Sequence, residues 1–149
     1  MSYDLMVFNP ETAPKSESEF LAWYHQQAEW EEDHSYNDPK VTSKALRNWF
    51  MEMIIDFPAM NGPHSPPDID DYIDDDGITD YSIGKDVIYV GFRWSAAERA
   101  YPKMLELAKK HQVGFFDPSG DGNIMFPNDD GILESINENS KSKSWWKFW

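Results

Sequence analysis

The chain has 149 residues, of which 40% are hydrophobic and 15% aromatic, and its formal net charge at pH 7 is −14. This length fits one domain at the usual ~100–200 residues per domain, and the aromatic content argues against disorder. Because phosphate contacts need Lys and Arg, the acidity argues against direct binding to nucleic acid or to an anionic membrane surface.

The acidic excess is confined to the first part of the chain. Residues 1–84 contain 18 Asp and Glu against four Lys and Arg, whereas residues 85–149 contain nine of each. Such asymmetry indicates that one face meets a cationic partner.

The chain has no cysteine, which excludes a disulfide framework and a thiolate metal site. No secretory signal and no run of 18 apolar residues is present in the sequence, so we expect a cytoplasmic domain with no membrane span.

The first two elements are a strand and a helix. Tyr3–Phe8 is an apolar run that ends at Asn9-Pro10, which predicts a strand. Ser16 and Glu19 form a capping-box pattern, which predicts a helix over about 17–30.

A second helix is the clearest amphipathic segment. It follows Ser43, and its apolar residues fall at i, i+3, i+4, i+7, i+8 and i+11: Leu46, Trp49, Phe50, Met53, Ile54 and Phe57. Pro58 ends it, because the residue before a proline avoids the helical region. Residues 58–78, rich in Pro and Gly, are predicted to form a long loop of the kind that is often functional or disordered.

A hairpin and a third helix come next. Residues 79–83 and 87–94 flank a three-residue loop that contains Gly, which is typical of a hairpin. Ser95 and Glu98 repeat the capping-box pattern before a helical stripe. Pro102 lies inside that stripe, and we expect either a kink or a new helix start there.

Residues 113–116 and 123–126 predict a last hairpin, which completes a single domain over 1–135 with a polar and aromatic tail over 136–149. The element order β-α-α-β-β-α-β-β predicts an α+β fold, with a mainly antiparallel sheet of about five strands packed against about three helices on one face. Its βαββαβ part indicates a ferredoxin-like core.

The predicted loop contains an acid run, with six carboxylates among residues 68–76. Carboxylates at this density repel one another and cannot all be buried, so they are solvated, bind cations or meet Lys and Arg of a partner. The run does not fit an EF-hand: with Gly77 at loop position six, Tyr72 falls at position one and Ile83 at position twelve. We therefore predict a solvated loop, which is compatible with a docking role.

A second acidic pattern resembles the start of a calcium loop. Asp117, Ser119, Asp121 and Gly122 match its early positions, but position twelve is Asn128, so the bidentate carboxylate is missing. A Gly-rich hairpin turn is favoured.

Metal-ligating side chains also lie near the end of the first helix. His25 and Glu29 are spaced i, i+4, and His34 follows. This spacing matches no strong motif such as HExxH, so a charged helix end is favoured over a metal site. The sequence also lacks the GxSxG, Walker A and GxGxxG patterns. We therefore predict no enzyme, no catalytic residue, no cofactor and no bound metal.

The tail ends in WWKFW, residues 145–149, close to Lys141 and Lys143. Trp and cations concentrate at membrane interfaces, but four aromatic side chains left free in water would favour aggregation. Packing on the domain or in a partner is favoured.

Six segments that span most of residues 2–126 are similar to those of a known group: 2–8, 20–24, 49–53, 57–63, 79–84 and 113–117. With these segments the chain resembles a small bacterial group associated with the immunity proteins of polymorphic toxin systems. The resemblance implies a protein that blocks a toxin made by sibling cells, and it implies no catalytic residues.

The favoured function is an immunity protein that neutralises a cognate secreted or contact-delivered toxin, with a basic nuclease domain as the expected partner. The predicted partner-binding residues form two groups: Asp70, Asp71, Asp74, Asp75 and Asp76 around Tyr72, and Glu29, Glu31, Glu32 and Asp33 around Trp30. The alternatives are an acidic nucleic-acid mimic that inhibits a DNA-binding protein, and a metal-dependent hydrolase that uses His25, Glu29 and His34. The identity of the toxin and the oligomeric state stay open.

Overall fold

The computed structural model describes residues 2–68 and 75–137, and within them the chain forms one six-stranded sheet. Its strands are β1 (Tyr3–Phe8), β2 (Asp80–Ile83), β3 (Val87–Phe92), β4 (Gly114–Phe116), β5 (Ile124–Pro127) and β6 (Leu133–Ser135). They lie in the order β2-β3-β1-β4-β5-β6, and every pair is antiparallel. The predicted α+β class is confirmed, and β6 is a strand that the sequence analysis missed.

Three α-helices accompany the sheet in the described residues: α1 (Glu17–Gln27), α2 (Lys44–Asp56) and α3 (Ala97–His111). The predicted caps of the first two are confirmed, because the side chains of Ser16 and Ser43 accept backbone N–H groups in the first turns of α1 and α2. No helix in these ranges has the length and apolarity that a bilayer crossing needs.

The predicted start of α3 is wrong. Ser95 lies in a 3-10 turn, Trp94–Ala96, and the N-cap of α3 is Ala96, which makes no side-chain cap bond. Pro102 lies inside α3, and the helix continues through it rather than starting anew.

The first four strands have the split arrangement of a ferredoxin-like core. β3 lies between β1 and β2, and β1 lies between β3 and β4. Each helical connection therefore joins two strands that are separated by a third, which is the βαββαβ pattern. The β4–β5 and β5–β6 hairpins extend the sheet beyond β4.

The helices cover both faces of the sheet. Alternate side chains of a strand point to opposite faces, and in β1 Leu5 and Val7 pack with α2 and α3, whereas Met6 and Phe8 pack with α1. All four are at most 1% exposed. The expectation that the helices lie on one face is therefore wrong, because a strand that is apolar on both faces needs a covering layer on each.

The packing of α1 on its face depends on Phe20. This side chain is fully buried, and its ring centroid lies 4.8 Å from that of Phe8 and 5.2 Å from that of Phe116. Aromatic pairs at such distances stabilise a core beyond the area they bury.

We predict that Phe20→Ala lowers the free energy of unfolding by about 3–5 kcal/mol, because it leaves a cavity among aromatic rings. Urea denaturation measures this change. Leu21→Ala is the matched control, since Leu21 is adjacent and 36% exposed, and it should cost less than about 1 kcal/mol. Equal costs for the two variants would show that the α1 face is not a packed core.

Candidate functional site

The acid run is described only in part. Four members of the predicted group lie outside the described residues: Asp70, Asp71, Tyr72 and Asp74. Asp75 is described, and its Oδ1 accepts the backbone N–H of Gly77 at 2.8 Å. This bond fixes the turn that leads from the acid run towards β2.

Asp76 is bound from α3. Nη2 and Nη1 of Arg99 donate to its two carboxylate oxygens at 2.7 and 3.2 Å. The hydrogen bond from Arg99 lowers the pKa of Asp76 below its ordinary value, although partial desolvation opposes the shift. The last carboxylate of the acid run is therefore already paired with a cation of the same chain.

Other cations of α3 pair with acids of α2 in the same way. Nζ of Lys103 lies 3.2 Å from Oδ2 of Asp56, and Nζ of Lys110 lies 2.7 Å from Oε1 of Glu52. The hydrogen bond from Lys110 lowers the pKa of Glu52. Bases from the second part of the chain thus offset acids from the first part, and the α2–α3 layer carries little unpaired negative charge from these residues.

Residues 29–33, which we call the acidic segment, follow α1 and are attached to the body at two points. The first attachment is Trp30, which adopts a left-handed backbone conformation with φ of 53°. Its ring centroid lies 5.2 Å from that of Tyr36 and 6.0 Å from that of Tyr89 on β3. Trp30 therefore serves as an internal anchor of the α1 face.

Glu32 is the second attachment. Its Oε1 and Oε2 accept the backbone N–H of Lys85, in the β2–β3 turn, at 3.0 and 3.4 Å. Its own N–H donates to the hydroxyl of Tyr36 at 2.6 Å. His34 completes the arrangement: Nδ1 accepts the N–H of Tyr36, which leaves Nε2 to donate to Glu32 Oε1 at 2.6 Å.

The remaining three acids of the segment, Glu29, Glu31 and Asp33, are exposed. In the part of the chain that the structure describes, their side chains form no hydrogen bond and no ion pair. The acidic segment thus presents three carboxylates without a partner among the described residues, on a backbone that Trp30 and Glu32 hold in place. Unpaired like charges at one place on a surface create a field that attracts cations over distance.

The described members of the two predicted groups lie at opposite ends of β2. Glu32 contacts the turn after Ile83, whereas Asp75 and Asp76 precede the strand. The four residues of β2 span roughly 10 Å at about 3.3 Å per residue. Asp80, an exposed acid on β2 itself, lies between the groups. It was not among the predicted site residues, although its exposed place in an alternating strand was a usable signal. A partner that contacts both ends must therefore span at least the length of this strand.

The three residues of the metal alternative, His25, Glu29 and His34, do not form a metal site in the structure. Across residues 2–68 and 75–137, no group of three or more His, Cys, Asp or Glu side chains is placed to hold a metal ion. His34 uses both ring nitrogens within the acidic segment and its neighbourhood, and the ring of His25 lies 5.3 Å from that of Tyr24.

The calcium-like pattern forms the turn between β4 and β5. Asp117 Oδ1 accepts the N–H of Gly120 at 2.8 Å, and Asp121 Oδ1 accepts the N–H of Asn123 at 3.0 Å. Burial raises the pKa of Asp117. Both carboxylates are thus used to cap the turn, as the favoured interpretation of the sequence predicts.

Comparison of the chain with protein families, with curated proteins and with solved structures gives no match. The geometry and charge of the surface are therefore the observations that bear on function.

We predict that Glu32→Ala accelerates hydrogen exchange at the Lys85 amide by roughly tenfold or more, because a hydrogen bond to a charged acceptor is lost. Exchange measured by NMR checks this. Glu31→Ala, which removes an exposed neighbour of the same charge, should leave that amide unchanged. Equal acceleration in the two variants would mean that Glu32 does not hold the segment to the turn.

We also predict a pH-dependent contribution from Asp76. Its pKa is lowered in the folded chain, so its ion pair stabilises the fold above the unfolded pKa near 3.8, and this contribution is lost as the pH falls through the folded value. Asp76→Asn should therefore lower Tm at pH 7, and the difference from the parent should shrink below about pH 4. Asp68→Asn, an exposed acid of the same loop, should change Tm little at either pH. A Tm difference for Asp76→Asn that is constant with pH would contradict the role of the ion pair.

Proposed function

We propose that the chain is an immunity protein, which binds a cognate secreted or contact-delivered bacterial toxin domain and neutralises it through the acidic surface along the β2 edge. A nuclease is the favoured toxin, since its phosphate-binding cleft is basic. The observation that carries the proposal is the acidic segment, in which three exposed carboxylates stand on a backbone held by Trp30 and Glu32.

The distribution of charge supports a directed encounter. Arg99, Lys103 and Lys110 offset acids near α3. Glu29, Glu31 and Asp33 have no such partner within residues 2–68 and 75–137, so the acidic segment differs from the more balanced α2–α3 layer. Complementary charge steers two proteins together and raises association rates from about 10⁵–10⁶ to as much as 10⁸–10⁹ M⁻¹s⁻¹ at low salt.

The attachment of the segment supports tight binding once contact is made. Carboxylates bond strongly to Lys and Arg, the side chains that hold phosphate in a nuclease. Because the segment is fixed before binding, less conformational freedom is lost in the complex. Carboxylates that occupy or cover the basic cleft would exclude the nucleic acid.

A nucleic-acid mimic that inhibits a DNA-binding protein is the second candidate. Mimicry needs carboxylates spread over an elongated face, and the structure places acids at both ends of β2 and, through Asp80, along it. The two candidates share one surface and differ in the partner.

The test uses the toxic domain that we expect to be encoded immediately upstream of this chain. We predict that Glu29→Gln/Glu31→Gln/Asp33→Asn slows association with that domain by roughly tenfold at low salt and changes the dissociation rate less, because unpaired exposed charges act mainly on encounter. Stopped-flow measurements give both rates. The rate of the parent chain should also fall with added salt.

The matched control is Glu106→Gln/Asp129→Asn/Asp130→Asn, which removes three exposed acids from α3 and from the β5–β6 turn, and that turn lies at the opposite edge of the sheet from β2. It should retain the association rate of the parent. No binding to the upstream domain, or binding that is insensitive to salt and to the first variant, would contradict the proposal. Binding to a DNA-binding protein in competition with duplex DNA would instead establish the mimic.

A further inference from the structure

An apolar groove of about 480 Å³ lies between α3 and the β5–β6 hairpin. Its floor and walls include Leu105, Met125, Ile132 and Leu133, and its rim carries Glu106 and Lys109. Ile132 is 53% exposed, whereas the other three apolar side chains are partly buried against the core. The groove therefore extends the hydrophobic core to the surface, and covering it would remove apolar area from water.

We propose that residues 145–149 of the same chain, WWKFW, dock in this groove. The segment contains four aromatic residues around Lys147. A buried Trp or Phe removes 150–250 Å² of surface from water, and the thioether of Met125 offers a favourable sulfur–aromatic contact. Glu106 is exposed and has no ion-pair partner in the described part of the chain, so its carboxylate can accept a hydrogen bond from the ammonium of Lys147.

The length of the intervening chain allows this contact. β6 forms one wall of the groove, and the last described residue, Asn137, is fixed where its side chain accepts the N–H of Ile124 at 2.6 Å. Eight residues from 137 to 145 span up to roughly 26 Å, whereas Leu133 lies four residues, or roughly 13 Å, back along the strand.

A tethered segment also competes well against other occupants. A short linker gives an effective concentration in the millimolar range, which favours the segment of the same chain over a second copy. The cost of closing so short a loop rises only slowly with its length.

A second cleft provides a control for the proposal. It has a volume of about 730 Å³ and lies on the other face of the β5–β6 hairpin, where Ile136 lines it. It is closer to the point at which the chain leaves the described residues, but its walls carry four carboxylates: Glu11, Glu17, Asp129 and Glu134. Aromatic rings that packed against these groups would take the carboxylates out of water, and this costs free energy that packing in the apolar groove does not.

Disulfide trapping in the full chain tests the proposal. The chain contains no cysteine, so two introduced cysteines form a single defined bond. Lys109→Cys/Ser144→Cys places one thiol at the groove rim, and Lys15→Cys/Ser144→Cys places it in the second cleft. Both lysines are exposed, and both pairs keep every aromatic residue of the segment.

We expect the Lys109 pair to form its intramolecular disulfide at least roughly tenfold faster than the Lys15 pair, as a docked segment raises the local concentration of one thiol near the other. Mass spectrometry measures both rates and separates monomers from dimers. Adding Trp145→Ser and Trp146→Ser to the Lys109 pair should bring its rate down to that of the Lys15 pair. Equal rates in the two pairs, a faster Lys15 pair, or mainly disulfide-linked dimers would each overturn the proposal. The test needs no toxin, so it is independent of the proposed function.

Discussion

Strand β1 carries apolar side chains on both of its faces, and the rest of the fold depends on covering both. Leu5 and Val7 require one helical layer, and Met6 and Phe8 require another. The chain meets this requirement by placing α1 on one face and α2 and α3 on the other. It must therefore cross from one face to the other between α1 and α2, and residues 28–43 make that crossing around the β2–β3 turn.

The crossing explains why the acidic segment is ordered. At the α1 end of this crossing, Trp30 packs on Tyr89. At the α2 end, the hydroxyl of Thr42 donates a hydrogen bond to the carbonyl of Lys85 at 3.0 Å. Between them the carbonyl of Tyr36 accepts the N–H of Ile83 at 2.8 Å, which satisfies part of the open edge of β2. The same contacts that cover the sheet edge thus hold the carboxylates in position.

Local patterns in the sequence predicted the caps at Ser16 and Ser43 and the limits of β1, because each depends on residues a few positions apart. β6 was missed because Leu-Glu-Ser is too short and polar to show a strand pattern, and only its pairing with β5 defines it. In the site, too, local sequence was informative and contacts between distant residues were not predictable. Composition identified the acids, but Arg99 lies 23 residues from Asp76, and only the fold shows which carboxylates are already paired.

The fold converts an asymmetry along the chain into an asymmetry in space. α3 brings bases from the balanced part of the sequence against acids of α2 and of the loop, while Glu29, Glu31 and Asp33 stay unpaired among the described residues. Solubility requires surface charge, but it does not require that the backbone bearing the charge be fixed. Recognition of a cationic partner benefits from the charge and also from the fixed backbone, because carboxylates that are already held lose less conformational freedom on binding. The attachments at Trp30 and Glu32 are therefore the feature that favours a docking surface over an acidic surface that only keeps the domain in solution.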